Sequence, residues 1–410
     1  MPSPSIAARV SILGKLNRRV VAWTALALLL VIGLALARLQ ILDDRSLGAV
    51  SLADVEKFLF VPSRDVPQVT VIDSRSDRVV ARIAMPGITR QVLVSEAVGA
   101  MVASFPDRSV LEMVDLSSPA SRVKIDLTTA PDFMVLSPDG YLVAAADGGR
   151  GAISVVSLQK RQPLLRLSGF GDPRNLTFSL DGSQLYITDR RAPELAVVDI
   201  VQQSVIARTA LTGRATSDRT RGGKDEPGVS ALTRTPDGRY GLVSIASLDS
   251  VIIVDLSTFK PVKEIHVGRA PLRPYGTADG RLMLVPNDGD QTVSIIDTTT
   301  LEMAATLPGA RDVTAINTGW FESLAFVMSR QNRVVVLDLM KFRKLDDIEL
   351  PGSPGASVVT SNGQKLYTTL SDVSQVAVVD TQAHRLRALI DGVGRQPAGA
   401  ILARSNNYCH

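Results

Sequence analysis

Cysteine is nearly absent: the 410-residue chain has one, Cys409, so no disulfide forms within it and no thiolate cluster can hold a metal. Histidine is almost as scarce. Only His266, His384 and His410 occur, spread over the second half, which leaves little material for histidine-based metal or triad chemistry. No net basic character remains once the first 19 residues are set aside. That stretch holds Arg9, Lys15, Arg18 and Arg19 and no acid, leaving 41 bases against 41 acids from residue 20 onward. A nucleic-acid surface needs a basic footprint, so the sequence pI near 9.2 reflects the tail and nucleic acid is excluded as a partner. Aromatic residues are only 4%, yet 45% of the chain is hydrophobic, enough to bury a large core.

One long apolar run is present. Residues 20–37 carry no charge over 18 positions, which at about 1.5 Å per residue spans a bilayer core. The basic tail before it predicts a cytoplasmic N-terminus and a single-pass anchor in a bacterial inner membrane, with the rest in the periplasm. Ala35-Leu36-Ala37 also fits a signal-peptidase site, and Arg18-Arg19 resembles a twin-arginine signal. The expected division is a tail (1–19), a transmembrane helix (20–37), a linker (38–54), a β-domain (55–404) and a C-terminal tail (405–410).

The β-domain is organised by a repeat. β-Branched runs end at Asp73, Asp115, Ser157, Asp199, Asp255, Asp297, Asp338 and Asp380, spaced by 42, 42, 42, 56, 42, 41 and 42 residues. Eighteen residues before the marker, Asp139-Gly140, Asp181-Gly182, Asp237-Gly238, Asp279-Gly280 and Asn362-Gly363 supply tight turns. Eight residues further upstream stand Pro131, Pro173, Pro271 and Pro354, suited to the lead into a strand. Each unit therefore reads as four strands, a to d, and four strands in about 42 residues make a propeller blade. The fold class is all-β, an eight-bladed β-propeller, with a seven-bladed ring containing one irregular unit as the alternative. The first unit lacks a good strand a, and residues 397–403 supply one, which predicts closure by strands from both ends.

The residues Leu185-Tyr186-Ile187-Thr188-Asp189, Leu366-Tyr367-Thr368-Thr369 and Val293-Ser294-Ile295-Ile296-Asp297 resemble the YVTN family of propeller repeats. Eight blades also resemble the haem-binding propeller of periplasmic nitrite reductase and its relatives in d-type haem biogenesis. That resemblance implies haem held by propeller histidines. Here His266 falls in a predicted strand d and His384 in the turn after Asp380, both away from the channel.

The d-to-a and b-to-c connections gather on one face, the expected ligand or partner site. Asp132, Arg174, Arg273, Arg311, Asp312 and Arg395 lie in the first set; Asp147, Arg150, Asp189, Arg190, Asp288, Asp290 and Arg330 lie in the second. The 56-residue spacing marks an insertion over 212–226 in a d-to-a connection, bringing Arg214, Arg219 and Arg221. The repeated aspartate is structural, since a catalytic group is not needed once per blade. Cys409 beside His410 is the one pair suited to a soft metal such as copper. The expectation is a non-catalytic, membrane-anchored scaffold that binds a protein in a membrane complex, or a small ligand, with no cofactor. A redox-associated propeller holding haem or copper is the alternative.

Overall fold

The computed structural model describes residues 52, 54–213, 228–277, 279–319 and 323–403. The basic tail, the apolar run 20–37, nearly all of the 38–54 linker, Arg214, Arg219, Arg221, Cys409 and His410 lie outside the described residues. Among those described, no helix is long and apolar enough to cross a membrane.

Eight four-stranded antiparallel sheets follow one another. Blade 1 comprises residues 58–84 with 401–402; blades 2 to 8 occupy 91–126, 133–167, 175–210, 233–266, 275–308, 313–349 and 354–390. The seven-bladed alternative is thereby discarded. Strands b and c are buried almost continuously, as in Leu324–Ser329, because neighbouring blades cover both their faces. Strand d alternates instead, as in Ser204–Ala210, because one of its faces meets solvent at the rim.

The core is divided into eight apolar clusters, each spanning two adjacent blades. An open row of eight blades would have seven. The eighth joins Tyr367, Val376 and Val378 of blade 8 to Leu59, Val61 and Leu402 of blade 1, so the ring is closed. Strand a of blade 1 comes from the C-terminal segment: Leu402 and Ile401 pair with Leu59 and Phe60, and Pro397 bridges Ser63. Leu52, 2% exposed, is already part of the blade 1 and 2 cluster, so the packed chain begins upstream of residue 55.

The repeated aspartates are turn caps. Asp73, Asp115, Asp199, Asp255, Asp297, Asp338 and Asp380 each accept amides two or three residues on, for example Ser257 and Thr258 at Asp255 at 2.8 and 3.2 Å. Ser157 does the same through its hydroxyl, accepting the Lys160 amide at 3.1 Å. Four residues past the marker, seven blades place a non-glycine residue in the left-handed region, among them Asp77, Phe342 and His384. In the same seven blades the pairing of strands c and d carries a bulge, whereas blade 2 has its register shift between strands b and c.

Candidate functional site

The b-to-c hairpins and d-to-a connections lie on one face of the ring and have an unusual composition. Among the described residues they contain eleven arginines and eleven aspartates, but no lysine and no glutamate. A short acid reaches a backbone amide in the adjacent loop, and most of these aspartates do so. Asp189 accepts the amides of Gly171 and Asp172 at 2.6 and 3.1 Å, and Asp249 that of Ala270 at 2.9 Å. Asp288 accepts the Asp312 amide at 2.6 Å, Asp290 that of Arg269 at 2.6 Å, and Asp372 that of Ser353 at 2.9 Å. Asp132 accepts Gly148 at 3.2 Å. These six carboxylates staple the b-to-c hairpins of blades 3, 4, 5, 6 and 8 to a neighbouring connection and are occupied by that task.

Arg174 is paired within its own connection. Its Nε and an Nη donate to the two oxygens of Asp172 at 2.7 and 2.6 Å, and the Asp172 side chain is 1% exposed. The hydrogen-bonded guanidinium holds the Asp172 carboxyl below the usual carboxylate range, outweighing the opposing effect of burial. Gly148 roofs the pair, since a Cβ there would meet Asp172 Oδ1 at 2.4 Å and Arg174 Nε at 2.5 Å. Arg273 is also turned inward, its Nε donating to the Thr233 hydroxyl at 3.3 Å. Arg269 pairs with Asp290, whose carboxyl is lowered first by the Arg269 amide and then by its guanidinium. Arg150 pairs with Asp147 at 3.1 Å, and Arg90 approaches Asp132 at 3.8 Å.

Arg311 and Arg395 are engaged only through main-chain carbonyls, which accept the Ser329 and Ser63 hydroxyls. Their guanidinium groups are exposed and have no partner among the described residues, as holds for Arg64, Arg191 and Arg330. Asp312 is exposed beside Arg311 and uses its amide, not its carboxylate. The structure therefore divides the expected residues: Asp132 and Arg174 fasten loops, while Arg311, Asp312 and Arg395 face solvent. Arg64 and Arg191 escaped the sequence argument because nothing in the repeat distinguishes an arginine that pairs locally from one that does not.

The opposite face carries the a-to-b and c-to-d turns. At the seam between blades 8 and 1, the Tyr367 hydroxyl reaches Asp77 at 2.5 Å and the Ser74 carbonyl at 2.9 Å. Lys365 donates to both Asp77 oxygens at 2.9 Å. Between blades 4 and 5 Leu256 occupies the repeat position of Ser74 and Phe259 that of Asp77, leaving a shallow cleft of about 350 Å³ lined by Tyr186, Gln184, Asp181, Arg234 and Asp237. Burial and the nearby Asp181 charge push the Tyr186 hydroxyl up to about 12, and it hydrogen-bonds Gln184 at 3.0 Å.

The described histidines do not fit an axial role for haem. His266 lies in the outer strand of blade 5, its Nδ1 3.0 Å from the Ser250 hydroxyl, and His384 occupies a turn of the opposite face. Among the described residues no three His, Cys, Asp or Glu side chains gather as metal ligands.

No protein-family profile matches this chain, and no curated protein matches it in sequence. Solved structures match its fold. Dihydro-heme d1 dehydrogenase NirN, solved in complex with DHE, superposes with a TM-score of 0.70 at 14% identity, over 85% of this chain and 76% of that one. Apo AztD from Citrobacter koseri gives 0.58 at 14% identity, over 84% and 96%. Kuenenia stuttgartiensis hydrazine synthase gives 0.53 at 16% identity, over 72% and 95%. At such identities the likeness establishes a shared propeller fold.

Proposed function

We propose that this protein is a non-catalytic, membrane-anchored propeller whose b-to-c and d-to-a face holds a protein partner or small ligand. It serves as an accessory or assembly subunit of a membrane complex, with the ring in the periplasm. One observation carries the reading: most of the aspartates of this face accept backbone amides of neighbouring loops while several arginines stand exposed without a partner among the described residues. Arginine presents a rigid fork of donors at modest desolvation cost, and such residues are enriched where proteins meet. The 212–226 insertion springs from this face, because it joins strand d of blade 4 to strand a of blade 5. Deleting residues 214–225 and reversing Arg311 and Arg395 to glutamate should weaken recovery of native partners from solubilised membranes without unfolding the ring. Undiminished recovery by that variant counts against the reading. Protease protection of the ring in right-side-out spheroplasts would refute its periplasmic side.

The repeat motifs support affiliation with YVTN-type propellers. A second reading, a redox-associated propeller, draws support from the fold shared with NirN and AztD. Soret absorbance and metal analysis of protein from its own host test that reading.

A further inference from the structure

We infer that the partner's contact on this face is an acidic polypeptide segment, laid across blades 7, 8 and 1; this deepens the face assignment above and rests on it. Four exposed arginines occupy that arc: Arg311 and Arg330 in the connections of blade 7, Arg395 between blades 8 and 1, and Arg64 in the b-to-c loop of blade 1. None of their guanidinium groups has a hydrogen bond or ion pair with the described residues. Their backbones are held firmly. The Arg330 amide donates to the Asp312 carbonyl at 3.1 Å, the Arg64 amide to the Gln396 carbonyl at 3.1 Å, and the Arg395 carbonyl accepts from buried Ser63.

Two of the four acids in the connections of the same arc, Asp372 and Asp391, are spent. Asp372 accepts the Ser353 amide through both oxygens, at 2.9 and 3.0 Å, and Asp391 accepts from Gln375 at 2.9 Å; Asp65 lies 2.8 Å from the Ser63 hydroxyl, whose single proton it shares with the Arg395 carbonyl. Asp312 keeps its carboxylate unengaged among the described residues of the arc, and Asp65 has only its share of the Ser63 proton. Free donors thus outnumber free acceptors although formal charges balance.

That balance selects the occupant. Nucleic acids and anionic bilayers bind through a summed positive field and counterion release, which a face with as many aspartates as arginines does not generate. Pairing at contact distance depends on local geometry, and an arginine fork matches a carboxylate through two parallel bonds. Arginines distributed over three blades also exceed the reach of one small anion. A chain with spaced aspartate or glutamate side chains satisfies both conditions, and its own backbone amides can meet Asp312.

The test uses full-length protein in detergent and a fluorescein-labelled polyglutamate peptide read by anisotropy. Saturable binding that weakens with salt is expected. Replacing Arg64, Arg311, Arg330 and Arg395 together by glutamine should weaken it by about 30-fold, or about 2 kcal/mol shared over four exposed pairs. The variant should keep its melting temperature, because these side chains bond to nothing else described. Unchanged affinity in a folded variant overturns the inference, as does tighter binding of polyphosphate or of phosphatidylglycerol vesicles at equal charge. If the 214–225 deletion with Arg311 and Arg395 reversed loses native partners while wild type ignores polyglutamate, the acidic-segment inference falls and the face assignment stands. If that variant retains its partners while the peptide binds through the four arginines, the assignment of the native partner site falls instead.

Discussion

Replacing Asp77 by asparagine should loosen the ring at one seam. Asp77 sits in the left-handed region at φ 57°, which asparagine tolerates, so the substitution removes charge without straining the turn. Its carboxylate is 11% exposed, the Lys365 side chain 14%, and Tyr367 is fully buried. Breaking a buried ion pair costs about 3–5 kcal/mol when the remaining charge is stranded. Lys365 keeps the Ser74 carbonyl at 2.8 Å and some access to water, so the expected cost is about 2–3 kcal/mol. For a ring of roughly 350 residues unfolding as a unit, that lowers the melting temperature by about 3–4 °C. The effect should also be local. Amide exchange in the strands flanking the seam should quicken by about 30- to 150-fold if the ring opens there first, with blades 3 and 4 unchanged. A melting point within about 1 °C of wild type with uniform exchange would show that the seam is held by apolar packing alone. Tyr186→Phe, at the corresponding place without such a clasp, is the control and should cost about 1 kcal/mol or less.

Truncation before Pro397 removes strand a of blade 1 and should yield a ring exposing the edge at Leu59 and Phe60, detected as aggregation and dye binding. Gly148→Ala should destabilise by displacing the Asp172–Arg174 pair, an effect readable as a lowered urea midpoint. Acid should weaken the fold through its turn aspartates. Asp115 and Asp255 are lowered chiefly by the Ser117 and Ser257 hydroxyls, and Asp172 by Arg174. Carboxyls depressed in the folded state contribute stability that is complete above their unfolded value near 3.9 and is lost as pH falls through the folded values. Stability should therefore be flat from about pH 7 to 5 and drop below about pH 4, and Asp172→Asn should shallow that drop.

Much of the ring was legible because a propeller repeats one solution. The 42-residue spacing, the turn glycines and the Asp caps recur, so each blade confirms the next, and even Ser157 substitutes within the same hydrogen-bonding logic. Closure was legible from a missing strand a and a spare segment at residues 397–403. What escaped was pairing between loops. The Asp77–Tyr367 contact joins positions 290 apart, and no periodicity announces it. The pairing of Arg174 with Asp172, two residues away, was not legible either, because sequence spacing does not give the direction of a side chain on an irregular loop. The occupied state of Asp189, Asp249 and Asp372 was hidden for the same reason.

The central claim, that the b-to-c and d-to-a face carries the partner, is tested most directly by photo-crosslinking in cells of the native host. A photoreactive residue at exposed Gln331, in the b-to-c loop of blade 7, should give a discrete adduct that disappears when Arg311 and Arg330 are changed to glutamine. The same residue at exposed Thr299, in a c-to-d turn of the opposite face, should give none. Adducts at Thr299 with none at Gln331 would place the partner on the other side of the ring and contradict the account.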